Sequence, residues 1–349
     1  MQKESRLKIG IVGIGTIADI QAQALQESGN SALYSVFSRS EDNARSLGEK
    51  HDVGWHTDWD RFISDPELDA VSVCTPSGNH LDYGERAARA GKHVIIEKPI
   101  EVTIDRAKRL VQVSEENGVA LAVIYQSRFV PEISALKRKL DDKVIGKLFM
   151  GDARIKWFRG QDYYDSGEWR GTIALDGGGV LINQAIHTID LLQWFMGDVD
   201  SIYGNTGTMT HERLEGEDNA VAVMKFKSGA FGVIQGSTSI QPAQARLIEL
   251  HGENGSIRVD GDDVKILKAG EDQVVLEKKG TASGASSPLA GFSPDPHRFQ
   301  FEAIAEAISR GVEPPVSGKD SLKSLAIVQA VYKSSKSNLP VNMDDFLRW

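Results

Sequence analysis

Two short segments of the chain carry groups able to move a proton. In Ile95-Ile96-Glu97-Lys98-Pro99-Ile100 a carboxylate and an ammonium follow an apolar run. Pro99 restricts the residue before it to extended backbone, which aims the Lys98 side chain in a fixed direction. Lysine serves acid–base chemistry when its surroundings lower its pKa, whereas the same Glu-Lys pair in water is an ordinary solvated loop. The second segment runs Asp176-Gly177-Gly178-Gly179-Val180-Leu181-Ile182-Asn183-Gln184-Ala185-Ile186-His187-Thr188-Ile189-Asp190. Asn183, His187 and Asp190 stand at i, i+4 and i+7, so one helix from Val180 to Phe195 would stack them on a single face. Leu181, Ile182, Ile189 and Leu192 supply its apolar faces. His187 is the natural proton acceptor there, although a buried histidine satisfied by hydrogen bonds has the same pattern. Three glycines ahead of the helix would let a ligand approach the backbone.

These groups need a framework, and Leu7–Ala24 begins it. A glycine-rich turn sits between an apolar strand and a helix, as a dinucleotide requires. Gly13 permits the tight turn, Gly15 lets the backbone approach a pyrophosphate, and Ala18 takes the close-packing third position. Thr16 and Ile17 open the helix whose free N–H groups and positive dipole end would meet the phosphates. Apolar runs at Ile9–Val12, Leu33–Phe37, Ala70–Cys74, His93–Ile96 and Ala120–Ile124 alternate with amphipathic stretches. That order predicts a doubly wound parallel sheet, with Lys98 at a strand end where such sheets meet their ligands. The cationic ring of an oxidised nicotinamide would disfavour the ammonium of Lys98. At the end of the second strand the ribose reader is Ser38-Arg39 and not a carboxylate, which favours NADP(H) over NAD(H). Arg39 stacked on adenine or turned to solvent fits the same residues.

After Tyr125 the pattern changes. A helix near Pro131–Leu140, a strand near Lys147–Trp157 and an irregular polar stretch at Arg159–Glu168 lead to the glycine-opened helix. Turn signals at Ser228-Gly229, Gly252–Gly255 and Gly261–Asp263 then imply a large, mostly antiparallel sheet. We therefore expect an α/β chain, with a Rossmann domain over residues 1–126 and an α+β domain over 127–349. Tyr163, Tyr164 and Asp165 are candidates to face a sugar, which needs aromatic faces for C–H and polar groups for hydroxyls. A surface loop packed by its own tyrosines would read the same. The Ser, Gly and Pro-rich segment Ala282–Asp295 is expected to be a loop, and helices near His297–Ser309 and Asp320–Ser335 end the chain.

At 349 residues the chain exceeds one growing core, and its formal net charge of -9 with no basic run argues against nucleic acid. Cys74 is the single cysteine, so no internal disulfide forms and a reducing, cytoplasmic setting is expected. No signal peptide or membrane span is apparent, and no metal site is expected.

The ordered set Gly13–Ala18, Cys74-Thr75-Pro76-Ser77-Gly78-Asn79-His80, Glu97-Lys98-Pro99, Arg128-Phe129, Trp169-Arg170, Gly177–Gly179 and Ile186-His187-Thr188-Ile189-Asp190 resembles the Gfo/Idh/MocA oxidoreductases, named for glucose–fructose oxidoreductase and inositol dehydrogenase. The resemblance covers nearly the whole chain. It implies hydride transfer between a nicotinamide and a secondary hydroxyl of a sugar, sugar derivative or cyclitol, with Lys98 and His187 around that hydroxyl. Thr75, Pro76, His80 and Glu97 would line the cofactor, Trp169 and Arg170 would cover its nicotinamide end, and Arg128 and Asn183 would join the substrate residues. The resemblance also implies that the domain over 127–349 binds substrate and that its open sheet joins copies into a homo-oligomer, a dimer or a tetramer. Many members carry aspartate where this chain has Asn183, and an amide cannot take a proton, which leaves Lys98 and His187 as the working pair. A glycosidase that oxidises its substrate transiently, or a sensor without catalysis, would use the same fold.

Overall fold

A computed structural model describes residues 6–268, 274–276 and 293–348. The chain divides into two compact units. The first comprises Met1–Glu101, Asp105–Phe129 and Ser293–Leu322; the second comprises Val102–Ile104, Val130–Phe292 and Lys323–Trp349. A single cut at 126/127 therefore differs from the observed division, because a late segment returns to the first unit.

In the first unit, β1 (Leu7–Val12), β2 (Ser31–Phe37), β3 (Gly54–His56), β4 (Ala70–Val73), β5 (His93–Ile96) and β6 (Leu121–Val123) form one sheet in the order β3-β2-β1-β4-β5-β6. Every pairing is parallel. The order reverses between β1 and β4, and ligands of open α/β sheets bind at such a switch point. Strands buried on both faces appear as continuous apolar runs, which is why five of the six were expected from the sequence. The three-residue β3 is too short to show a pattern. The returning helix Asp295–Ser309 belongs here because Phe301 and Ile304 are buried with Ile9, Ile11, Ala18 and Leu25. Its Gln300 donates to the Val123 carbonyl at 2.8 Å.

In the second unit, β7 (Leu148–Lys156), β8 (Val199–Gly207), β9 (Asn219–Phe226), β10 (Phe231–Ser237), β11 (Leu247–Gly252), β12 (Gly255–Asp260), β13 (Asp263–Lys268), β14 (Val274–Leu276) and β15 (Val341–Asn342) form a second sheet, ordered β14-β13-β12-β11-β7-β10-β9-β8-β15. Only β7 and β10 run parallel among these pairs. Period-two burial shows that one face is covered: in β9, Ala220, Ala222, Met224 and Phe226 are buried while Val221 and Val223 are each 55% exposed. The expected loop Ala282–Asp295 lies, up to residue 292, outside the described residues.

The helix expected over Val180–Phe195 is two structures. Val180–Ala185 is a π-helical turn and Ile186–Met196 an α-helix. Its opening is fixed by residues far along the chain: the Glu217 carboxylate accepts the Gly179 and Leu181 N–H groups at 3.0 and 2.8 Å. A Cβ at Gly179 would stand 1.8 Å from the Glu217 carbonyl oxygen, and one at Gly178, where φ is +147°, 2.4 Å from the Tyr332 hydroxyl. Packing within the chain therefore already requires these glycines, against the Glu217 backbone at Gly179 and the Tyr332 side chain at Gly178.

Candidate functional site

The first unit presents a cradle at its switch point. Helix Thr16–Glu27 has no side-chain cap at its N-terminus, so its first N–H groups await an acceptor. Gly13 needs its φ of +101° and sits against the Cys74 carbonyl, where a Cβ would approach to 2.9 Å. A Cβ at Gly15 would meet nothing within 4 Å, and Gly15 and Thr16 are exposed. Ile17 is half-buried beside them. Thr75 Oγ1 is buried with no hydrogen-bond partner among the described residues, and Pro76 follows it half-buried. An open glycine turn, an uncapped helix start and an orphaned hydroxyl fit a dinucleotide pyrophosphate. At the end of β2, Ser38 is buried and accepts the Ser40 N–H at 3.2 Å, whereas Arg39 is exposed. The nearby acids are committed elsewhere, Asp42 to Arg45 at 2.6 Å and Glu41 to the same arginine at 4.0 Å.

The strand-end motif is tied down from behind. His80 is buried, its Nδ1 2.8 Å from the Pro99 carbonyl oxygen and its Nε2 3.0 Å from that of Thr75, and the neutral ring donates its single N–H to one of them. It thus clamps the loop after β4 to the loop after β5, and burial lowers its pKa. Glu97 is buried, accepting Gln21 Nε2 at 2.6 Å and the Lys98 N–H at 3.0 Å. Burial raises the pKa of Glu97, against the opposing pull of Lys98 and these hydrogen bonds. Ser72 donates to Gln21 at 2.6 Å, which roots the motif in β4 and the first helix. Lys98 itself is half-buried. Arg128 is 4% exposed and ion-paired with Asp320 at 2.7 Å, a bond that fixes it within the first unit.

A polar constellation occupies the second unit. Asp176, 2% exposed, accepts the Gly171 N–H at 2.8 Å through one oxygen and the Asn183 amide through the other. Gln184 Nε2 donates to Asn183 Oδ1 and to the Tyr163 hydroxyl, both at 2.8 Å. Arg170 also donates to the Tyr163 hydroxyl at 2.8 Å, and its guanidinium lies 4.4 Å from the Tyr163 ring centroid and 4.7 Å from that of Trp169. Burial raises the Tyr163 pKa, with Arg170 opposing. His187, half-buried, stands in the first turn of the α-helix. The expected stripe of three is not formed. Asp190 is fully buried and accepts Ser324 Oγ at 2.7 Å, while Asn183 lies in the π turn and is drawn to Asp176.

The three candidates of the irregular stretch also separate. Tyr163 joins the constellation, but Tyr164 is buried beneath it, its hydroxyl 2.9 Å from Thr238 Oγ1 and its ring edge-on to Tyr163 and His211. Asp165 is exposed and pairs with Arg213 at 2.9 Å. Sequence reasoning passed over the loop that braces this floor. Asp218 gathers the N–H groups of Met209, Thr210 and His211 at 2.7, 2.8 and 3.1 Å and His211 Nδ1 at 2.9 Å. The sum of these bonds holds its carboxyl well below the usual range, despite burial. His211 Nε2 meets the Arg159 carbonyl at 2.7 Å, which anchors the irregular stretch. The acidic run Glu215–Asp218 reads as a solvated loop in sequence; only glycine beside paired acids hinted at a carboxylate turned inward.

Residues 7–125 match the oxidoreductase family with an NAD-binding Rossmann fold, and residues 133–258 match the GFO/IDH/MocA C-terminal domain. The chain is 28% identical to myo-inositol 2-dehydrogenase of Thermotoga maritima over 351 residues, covering 98% of this chain and 100% of that protein. It is 31% identical to oxidoreductase P35 of Formosa agariphila over 230 residues, 65% of this chain and 71% of that protein. The crystal structure of the WlbA dehydrogenase from Bordetella pertussis in complex with NADH and UDP-GlcNAcA superposes with a TM-score of 0.85 at 27% identity, covering 97% and 98% of the two chains. With residues 7–125 and 133–258 matched in order by its two domain models, this protein belongs to the Gfo/Idh/MocA family of oxidoreductases.

Proposed function

We propose that the protein is an NAD(P)-dependent dehydrogenase or reductase acting on a secondary hydroxyl of a sugar, sugar derivative or cyclitol. The observation that carries the reading is the open glycine turn of the first unit, with its uncapped helix and orphaned Thr75 hydroxyl. The full-length likeness to a protein named myo-inositol 2-dehydrogenase supports the substrate class. A bound nicotinamide would accept or return a hydride at C4 of its ring. The N–H groups of Thr16 and Ile17 and the Thr75 hydroxyl would bind the cofactor, and Glu97 and His80 would hold Lys98 in place. In this reading Lys98 and His187 would exchange the proton of the reacting hydroxyl, and Asn183, Tyr163 and Trp169-Arg170 would bind the sugar and the nicotinamide end of the cofactor. The exposed Arg39 supports a preference for NADP(H). The apolar residues on the open face of the second sheet, Val221, Val223 and Phe231, each more than half exposed, support a homo-oligomer. A reducing, cytoplasmic setting accords with a lone buried Cys74.

The test is the reduced-nicotinamide absorbance band, followed with NAD+ and with NADP+ over a panel of cyclitols, free sugars and nucleotide sugars. Net reduction with a keto product supports the proposal. Release of an aglycone without net reduction identifies a glycosidase, and cofactor binding with neither outcome identifies a sensor.

A further inference from the structure

Hydrogen-bond direction in the second unit is set by one residue. Both oxygens of Asp176 accept, one from the Gly171 N–H at 2.8 Å and the other from the Asn183 NH2 group, so Asp176 fixes which end of that amide faces it. Asn183 Oδ1 is thereby turned to Gln184, which must answer with its own NH2 group at 2.8 Å. A primary amide has two N–H bonds. Gln184 spends the second on the Tyr163 hydroxyl, at 2.8 Å, and Arg170 donates to the same oxygen at 2.8 Å. Tyr163 Oη is therefore an acceptor twice over, and its own proton is given to no acceptor among the described residues. Each of these side chains but the first is polarised by its neighbour, and the order runs one way, from the buried carboxylate to the half-buried phenol.

We propose that Asp176 is a positioning residue that fixes the polarity of this circuit, so that Tyr163 recognises its ligand only as a hydrogen-bond donor. The group it takes is an oxygen acceptor of the sugar or cyclitol: a carbonyl, a carboxylate or a hydroxyl lone pair. This rests on the dehydrogenase reading for the ligand's identity, but the circuit itself does not depend on it. It also gives Asn183 a reason. An aspartate there would set two carboxylates against each other, which one retained proton must relieve.

Substitutions that reverse the circuit test this. In Asp176→Asn the fixed Gly171 N–H, now 2.8 Å from Asp176 Oδ2, keeps the remaining oxygen. The new NH2 group then faces Asn183, whose amide turns over, followed by that of Gln184, and the Tyr163 proton is drawn inward. In Asp176→Asn with Asn183→Asp, the new carboxylate accepts from both neighbours, Gln184 again donates, and the outward polarity returns. The readout is the Cζ resonance of Tyr163 in protein labelled at tyrosine, where seven tyrosines allow assignment through Tyr163→Phe. A phenol that donates inward and one that only accepts differ in this shift. We expect the resonance to move in Asp176→Asn and to return in the double variant. In turnover of the polyol found in the panel, KM should rise about tenfold in Asp176→Asn and in Tyr163→Phe without adding when combined, and recover in the double variant. A resonance unmoved by Asp176→Asn, or moved and not restored in a folded double variant, overturns the proposal. If Asp176→Asn does not fold, Asn183→Leu cuts the same circuit with the Gly171 bond intact, and an unmoved Tyr163 resonance there overturns it equally. A correct resonance pattern in a protein that oxidises no polyol would instead count against the dehydrogenase reading alone.

Discussion

Replacing Glu217 by glutamine should change how stability depends on pH more than it changes stability itself. The carboxylate is 5% exposed and closes the opening of the turn that carries Asn183, accepting the Gly179 and Leu181 N–H groups and the Tyr332 hydroxyl at 3.0, 2.8 and 3.1 Å. Burial outweighs these bonds and moves its pKa from 4.5 to about 7. At about 1.36 kcal/mol for each tenfold change, that difference is worth about 3 kcal/mol. The folded state holds the proton more tightly than the unfolded chain does, so this contribution is complete below pH 4.5 and is lost as pH rises through about 7. Glutamine has no such slope. It places an NH2 group where the protonated acid keeps a hydroxyl oxygen able to accept, so one donor is left facing an NH2 group at a cost of about 1–3 kcal/mol. Glu217→Gln should therefore be the less stable protein at pH 5 and should equal or exceed the wild type at pH 8. Urea unfolding of both proteins across that range measures the difference. Two curves that stay parallel from pH 5 to pH 8 would refute the reasoning, because every other titrating group is shared.

Arg39→Ala should weaken NADP(H) by about 10- to 150-fold, the equivalent of a charge-assisted hydrogen bond of about 1.5–3 kcal/mol, and leave NAD(H) nearly unchanged; equal losses in titrations of both cofactors would remove Arg39 from phosphate recognition. Lys98→Ala should lower kcat by about 10²–10⁴ while cofactor affinity holds, and more than half the wild-type turnover would make Lys98 structural. Asp218 has the opposite pH sign to Glu217: its depressed pKa contributes stability above the usual carboxylate range that is lost on acidification, so Asp218→Asn should flatten the acid limb of the unfolding curve. Gly179→Ala should prevent folding of the second unit, since its Cβ has no room beside the Glu217 carbonyl, and a Tm within a few degrees of wild type would contradict that packing.

The first unit was legible because its strands are buried on both faces and its glycine turn opens the sheet. Helix Asp295–Ser309 was visible from its apolar spacing, yet nothing in that spacing says that Phe301 and Ile304 belong to a core begun 290 residues earlier. The π turn was hidden for a similar reason: the carboxylate that shapes it stands 38 residues away from the Gly179 N–H it binds. An α-helical wheel consequently grouped Asp190 with Asn183, whereas Ser324 holds the one and Asp176 the other. Lys98 stands out as a candidate by its place at a strand end, but Gln21, whose amide secures Glu97, has the pattern of one more polar residue on an amphipathic helix. Direction along a hydrogen-bonded chain is a property of contacts, and residue types alone do not give it.

Transfer of deuterium tests the central claim most directly. A panel polyol deuterated at the reacting carbinol carbon is turned over with the preferred cofactor, and the reduced nicotinamide is recovered and analysed by mass spectrometry and NMR. Direct hydride transfer predicts one deuterium on C4 of the ring, on a single face, and a ketone at the former carbinol. Reduced cofactor without deuterium, or deuterium on C4 when the unlabelled polyol is turned over in D2O, would contradict the account.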